Sequence, residues 1–151
     1  MQKTSIHVSV LKQELKLRRG RKIIRRYPVS TSRFGLGTRQ GSNKTPLGKF
    51  RISDKIGEEM PSRTIFVGRL PLGPDDPPPG TNDLVLSRIL WLDGVEGHNA
   101  NTRERFIYIH GTRHEDKIGL PDSHGCVRMR NADVIELFDL VEVGTPVTIR
   151  K

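Results

Sequence analysis

Glycine and proline recur along the whole chain, and they constrain its fold more than any other feature. The 151 residues include 15 Gly and 10 Pro, and both residue types disfavour the interior of a helix. Only 34% of the residues are hydrophobic, which also favours a fold rich in turns and loops. We therefore predict a mainly β protein. The length suits a single domain over residues 1–151 with a substantial buried core.

Apolar and polar residues alternate in several short segments, as they do in strands with one buried face. The predicted strands are residues 6–10, 11–17, 22–30, 50–53, 64–70, 84–92, 105–110 and 146–149. A hairpin turn is predicted at Gly20, in a positive-φ position. One helix is predicted near the C-terminus, at about residues 131–141. There Val134, Ile135, Phe138 and Val141 recur at helical spacing, and Asn131 is a candidate N-cap.

The chain is strongly basic, with 26 Lys and Arg against 17 Asp and Glu, a net charge of +9. Such a surface suits a polyanion such as nucleic acid, anionic lipid or an anionic cell-wall polymer. The basic residues are scattered except for a cluster at residues 18–26, which is typical of a solvated hairpin tip. The sequence carries no nucleic-acid-binding motif and no apolar run long enough to span a membrane. We expect neither nucleic-acid binding nor a membrane span.

The single cysteine lies in the segment SHGCVRM at residues 123–129. His124 lies two residues before Cys126, and His110 lies 16 residues before it, at the end of a predicted strand. A thiol with a pKa of about 8.5 is mostly protonated at neutral pH, whereas only the thiolate is nucleophilic. An imidazole can take the proton and hold the resulting ion pair if a third group fixes its tautomer. These residues are therefore candidates for a nucleophilic cysteine site.

Two glycines strengthen this interpretation. The carbonyl of Gly111 is a candidate partner for the second ring nitrogen of His110. Gly125 lets a substrate approach the backbone closely, and the amides around Gly125 and Cys126 are candidate donors to an oxyanion.

Two other interpretations of the cysteine remain open. A lone cysteine is often a small buried hydrophobic residue, although the polar neighbours of Cys126 are atypical of a core strand. The second alternative is zinc, whose usual ligands include the side chains of His110, His114, His124 and Cys126. A spacing of two between His124 and Cys126 matches no common zinc pattern. We therefore expect no metal site.

The cysteine segment, preceded by a His-Gly pair at a strand end, strongly resembles the catalytic signature of the L,D-transpeptidases with YkuD-like catalytic domains. The segments YPVST at residues 27–31 and TPLGKF at residues 45–50 resemble family elements in the same order. The resemblance therefore covers nearly the whole chain. It implies a β-sandwich or barrel-like catalytic domain that acts on peptidoglycan stem peptides without a cofactor.

The resemblance also implies roles for individual residues. Cys126 matches the nucleophile, His110 matches the activating histidine, and Gly111 matches the residue whose carbonyl orients it. The residues that match the active-site loop on the oxyanion side are Ser123, His124 and Gly125.

Four residues are candidates for substrate binding. Arg128 occupies a position of the signature where a cation suits a substrate carboxylate, and a structural salt bridge is the alternative. Tyr108 shares a strand face with His110, and Trp91 is a candidate cleft wall. Core packing explains Tyr108 at least as well, and it is the favoured explanation for Trp91. Arg113 lies in the loop between His110 and the cysteine segment.

The reaction implied by the resemblance is a two-step acyl transfer by a cysteine acyltransferase. Cys126 attacks the carbonyl of the third residue of a tetrapeptide stem, D-alanine leaves, and an amine from a neighbouring stem resolves the thioester into a cross-link. Water as the acceptor gives an L,D-carboxypeptidase instead, and a non-catalytic wall-binding module is a further alternative. The implied location is the cell envelope, in the periplasm or cell wall, although no signal peptide is visible in this chain.

Overall fold

A computed structural model describes residues 3–73, 75–77, 80 and 83–151 of the chain. Its elements are β1 (Thr4–Ser9), β2 (Glu14–Arg19), β3 (Lys22–Ser30), β4 (Gly48–Ile56), β5 (Ile65–Val67), β6 (Leu70–Pro71), β7 (Val85–Gly94), β8 (Tyr108–Gly111), β9 (Val127–Met129), α1 (Asn131–Leu140) and β10 (Pro146–Arg150). Two short 3-10 helices lie in loops, at Gly97–Asn99 and Glu115–Lys117. The predicted turn is present, with Gly20 at φ 62°.

All ten of these strands belong to one sheet that closes on itself. The strand order is β4-β10-β1-β2-β3-β9-β8-β7, and β4 also pairs with β7, while β5 and β6 extend from β7. Two neighbouring pairs are parallel, β1 with β10 and β8 with β9. The mainly β, barrel-like architecture with one helix near the C-terminus is confirmed. No helix in the described ranges combines the length and the apolar character needed to cross a membrane.

The main core fills the closed sheet and extends to one face of α1. The strands supply it with alternating residues, as in β1, where Ile6 and Val8 are buried and their neighbours are not. Helix α1 contributes Val134, Leu137 and Phe138. The predicted helical stripe was wrong at one position, because Ile135 is only half-buried and Leu137 lies on the buried face instead.

The start of α1 differs from the prediction. Arg130 is the N-cap, and Asn131 is the first helical residue. The Asn131 side chain is directed inward, where it bonds Ser87 Oγ at 2.6 Å and donates to Thr112 O at 2.8 Å. The Glu115 carboxylate instead accepts the N–H of Asn131, at 2.7 Å. A side chain from a distant loop therefore satisfies the helix terminus, and Asn131 joins α1 to β7 and to the loop after β8.

The structure of two segments differs from the prediction made from sequence. Residues 123–129 were expected to form a loop, but Val127–Met129 forms β9, whose three residues are all buried. A strand buried on both faces shows no alternation, so its sequence gave no strand signal. The predicted strand at residues 64–70 is interrupted by a turn between β5 and β6. The Pro-rich stretch at residues 71–82, for which the sequence predicts no regular structure, lies partly outside the described residues.

Candidate active site

The parallel pairing of β8 with β9 brings the two parts of the predicted site together. Ile109 pairs with Val127, and His110 pairs with Arg128. One step back along both strands, the N–H of Tyr108 donates to Cys126 Sγ at 3.3 Å. His110 lies two residues further along β8 on the same face, roughly 6.6 Å from Tyr108. The histidine therefore lies diagonally across from the cysteine, on an adjacent strand.

His110 is held in one tautomer by its neighbour. Its ring Nδ1 lies 2.5 Å from Gly111 O, the hydrogen bond expected from sequence. A carbonyl oxygen can only accept, so Nδ1 carries the proton and Nε2 keeps its lone pair. His110 is 1% exposed, and burial lowers its pKa, against the opposing effects of the Asp83 charge and the Gly111 hydrogen bond. At neutral pH the imidazole is therefore a neutral base.

Cys126 is half-buried beside a second apolar cluster that includes Trp91 and Tyr108. Its thiol donates to Phe106 O at 3.4 Å. Burial raises the pKa of the thiol to about 12, although the Tyr108 N–H bond and the charge of Arg128 oppose that shift. Both shifts favour a thiol and a neutral imidazole in the free protein over a preformed ion pair.

In the part of the chain that the structure describes, the hydrogen bonds of Cys126 Sγ go to the backbone of Tyr108 and Phe106, and neither His110 nor His124 shares one with it. Catalytic hydrogen bonds are often long or poorly aligned in a free enzyme and shorten only when substrate binds. The role of His110 as the base stays a prediction.

The active-site loop is a tight turn held by Ser123. Its hydroxyl donates to Cys126 O at 2.6 Å and accepts the N–H of Gly125 at 3.3 Å. Thr45 Oγ1 donates to Gly125 O at 3.0 Å. Gly125 has φ 122°, a conformation that favours glycine. The amide of Gly125, one of the expected oxyanion donors, is thus already engaged with Ser123.

Arg128 lies at the centre of an ion-pair network. It is 2% exposed, and its Nε and Nη2 both donate to Asp83 Oδ1, at 3.0 and 2.7 Å. Its Nη1 donates to Asp122 Oδ2 at 2.8 Å. Asp83 also pairs with His124 Nδ1 at 3.1 Å. These contacts are those of the structural salt bridge weighed as the alternative, and binding of a substrate carboxylate by Arg128 stays a prediction.

Asp83 was not identified from sequence. It follows a Pro-rich stretch and belongs to no motif, so no local signal marked it. It joins the two ends of the cysteine segment, because it contacts His124 on one side and Arg128 on the other. Its charge also acts on His110.

The aromatic candidates lie within the second apolar cluster. Trp91 and Tyr108 are each 7% exposed, and their rings meet edge to face with centroids 5.7 Å apart. Arg69 donates to the Tyr108 hydroxyl at 3.2 Å and lies over the Trp91 ring at 4.9 Å. Substrate binding by Trp91 and Tyr108 stays a prediction. Arg113 is exposed in the loop after β8, and its role is equally untested.

The zinc ligand types do not converge. Within the described ranges, no three His, Cys, Asp or Glu side chains lie close enough together to hold a metal ion.

Gly111 has no room for a side chain, so we expect Gly111→Ala to impair the site. A Cβ there would lie 2.8 Å from Leu86 O and still closer to Asn131 Oδ1. Because backbone must shift to relieve this overlap, we expect a loss of about 1–3 kcal/mol of stability and misplacement of His110. Thermal denaturation and turnover measure the two effects. Gly97→Ala is a comparison variant, since its Cβ position is open and its φ is not positive. Unchanged turnover in Gly111→Ala would contradict the role of its carbonyl.

The chain matches the model of the L,D-transpeptidase catalytic domain (YkuD) over residues 3–149. It is 31% identical to the putative L,D-transpeptidase YqjB of Bacillus subtilis over 77% of this chain and 57% of that protein. It is 35% identical to the probable L,D-transpeptidase YbiS of Escherichia coli over 71% of this chain and 28% of that protein. This chain therefore spans less than two thirds of either relative.

Solved structures agree on the fold. A crystal structure of an L,D-transpeptidase from Xylanimonas cellulosilytica has a TM-score of 0.66 at 19% identity, covering 99% of this chain and 61% of that one. An L,D-transpeptidase from Mycobacterium smegmatis has a TM-score of 0.65 at 14% identity, covering 99% of this chain and 59% of that one. With the family model matched over almost the whole chain, this protein belongs to the L,D-transpeptidase catalytic domain family.

Proposed function

We propose that this domain is a peptidoglycan L,D-transpeptidase that uses Cys126 as its nucleophile. The observation that best supports the proposal is the orientation of His110. The Gly111 carbonyl holds its Nδ1 proton, which leaves Nε2 as the basic nitrogen on the strand beside Cys126. A neutral imidazole and a protonated thiol are the reactants that general-base activation requires.

In the first step His110 Nε2 takes the thiol proton as the sulfur attacks the carbonyl of the third stem residue. The tetrahedral intermediate collapses, the bond to D-alanine breaks, and the imidazolium returns its proton to the departing amine. The donor acyl group is then held on Cys126 as a thioester. Because the pKa of the free thiol is so high, we expect proton transfer to accompany attack and not to precede it.

In the second step an amine from a neighbouring stem attacks the thioester and gives its proton to His110. The thiolate leaves and is reprotonated, and one amide bond has replaced another. The partners are therefore a donor and an acceptor stem peptide, and the reaction uses no metal or cofactor. Because peptidoglycan is the proposed substrate, we expect the protein to act in the cell envelope.

Water can attack the same thioester, which makes an L,D-carboxypeptidase the second candidate function. The half-buried position of Cys126 does not favour either acceptor. The products distinguish the two functions. A non-catalytic wall-binding module would give no product at all.

The test is incubation of the protein with a tetrapeptide stem, followed by mass spectrometry of the products. We expect a peptide dimer that has lost one D-alanine. Accumulation of tripeptide alone would establish hydrolysis instead. Absence of both products, with the protein folded and the stem peptide intact, would contradict the proposed enzymatic function.

A further inference from the structure

A cavity of about 600 Å³ opens beside the cysteine segment. It is lined by Arg33, His114, Lys117, Asp122, His124 and Arg128. His124 and Arg128 lie two residues before and two residues after Cys126, so the cavity borders the segment that carries the cysteine. None of these side chains transfers a proton in the two steps proposed above.

The positive charge of this cavity is only partly neutralised. Arg128 is paired with Asp83 and Asp122, so its charge is balanced within the protein. Arg33 and Lys117 are exposed, and neither forms a salt bridge with a carboxylate among the described residues. These two cations are therefore available to a bound anion.

Arg33 is tied to the active-site loop through backbone and ring contacts. Its N–H donates to Ser123 O at 3.0 Å. Its guanidinium lies over the Phe34 ring at 4.9 Å, and that ring lies 5.7 Å from the ring of His124. These contacts therefore hold the Arg33 guanidinium close to the segment that carries the nucleophile.

We propose that this cavity is a subsite for a carboxylate of the donor stem peptide, with Arg33 and Lys117 supplying the attraction. The inference rests on the proposed function and deepens it, because it makes stems with free carboxylates better donors than stems whose carboxylates are amidated. An amide has the same shape as a carboxylate but carries no charge, so the discrimination is electrostatic. Because both cations are exposed, salt weakens the effect.

The experiment compares a tetrapeptide stem with free carboxylates to derivatives amidated at one carboxylate at a time. For the wild-type protein, we expect amidation of one carboxylate to raise KM roughly 3- to 10-fold, the effect of losing one or two exposed ion pairs, with kcat little changed. The double variant Arg33→Gln/Lys117→Gln should show the raised KM with the free stem and no further change with the amidated one. Arg21→Gln/Lys22→Gln, which removes the same charge at the β2–β3 turn, should behave like wild type.

Binding separates failure of this inference from failure of the proposed function. Titration calorimetry with Cys126→Ala protein measures stem affinity without turnover. Tighter binding of the free stem than of the amidated one, lost in the Arg33→Gln/Lys117→Gln background, supports the subsite even if no product forms. Equal affinity for the free stem and for every amidated derivative overturns it, whatever the enzyme then does with the stem.

Discussion

Cys126→Ala is expected to abolish formation of the acyl-enzyme and to lower kcat by ~10⁴-fold or more, as removal of a catalytic nucleophile does elsewhere. Cys126 is the only cysteine in the chain, so no other thiol can replace it. Intact-protein mass spectrometry with a tetrapeptide stem should show an added tripeptide acyl group on the wild type and none on the variant.

The variant should remain folded, which makes the loss of activity interpretable. The sulfur is half-buried at the edge of an apolar cluster, and its removal is expected to cost about 1 kcal/mol, with the transfer and cavity contributions both small. Thermal denaturation checks this. Cys126→Ser is the matched variant, since it keeps a hydroxyl at the same place and is expected to be far less active. If Cys126→Ala retained turnover, that result would contradict the thioester mechanism.

The elements that could be predicted from sequence are those whose signal is local. The alternation in residues 105–110 predicted a strand ending at His110, and β8 is found there. The Gly111 carbonyl was predicted to meet His110 because the two residues are adjacent in the chain. Each inference needed only the residues within one segment.

The parts that could not be predicted depend on contacts between distant segments. Asp83 reaches Arg128 and His124 across 45 and 41 residues of sequence, and nothing around it marks a functional position. Asn131 has the residue type of an N-cap, but its buried hydrogen bonds to Ser87 and Thr112 stabilise a different position. In both cases tertiary hydrogen bonding overrides a local preference.

The same limit applies to the protonation of the site. From sequence, a histidine near a cysteine suggested an ion pair. Burial instead raises the pKa of Cys126 and lowers the pKa of His110, because a partly closed site disfavours charge on either group. The burial of both side chains, which the sequence does not reveal, therefore determines that the thiol proton is transferred to His110 only as the sulfur attacks.

His110→Gln tests that conclusion through the pH profile. In the wild type the active form needs a neutral imidazole, so kcat/KM should rise with pH through the pKa of His110. That pKa is below its ordinary value of 6.5, because burial lowers it, so the rise should be complete by neutral pH. The thiol pKa of about 12 predicts no second limb from the cysteine near pH 8 to 9.

The His110→Gln variant should lose roughly 10²- to 10⁴-fold in kcat/KM, the usual contribution of a general base. It should also lose the acidic limb of the profile, which is the rise of kcat/KM with pH below neutrality. His98→Gln, at an exposed histidine that pairs with Glu96, should keep both the rate and the pH profile. His124→Gln distinguishes the two active-site histidines. If the acidic limb survived in His110→Gln and disappeared in His124→Gln, then His124 would be the base, and the hydrogen bond from His110 to Gly111 would only support the structure of β8. The assignment to His110 thus depends on which substitution removes the pH dependence of kcat/KM. This is a stricter requirement than loss of rate, because substitution of a buried histidine can lower activity through misfolding alone.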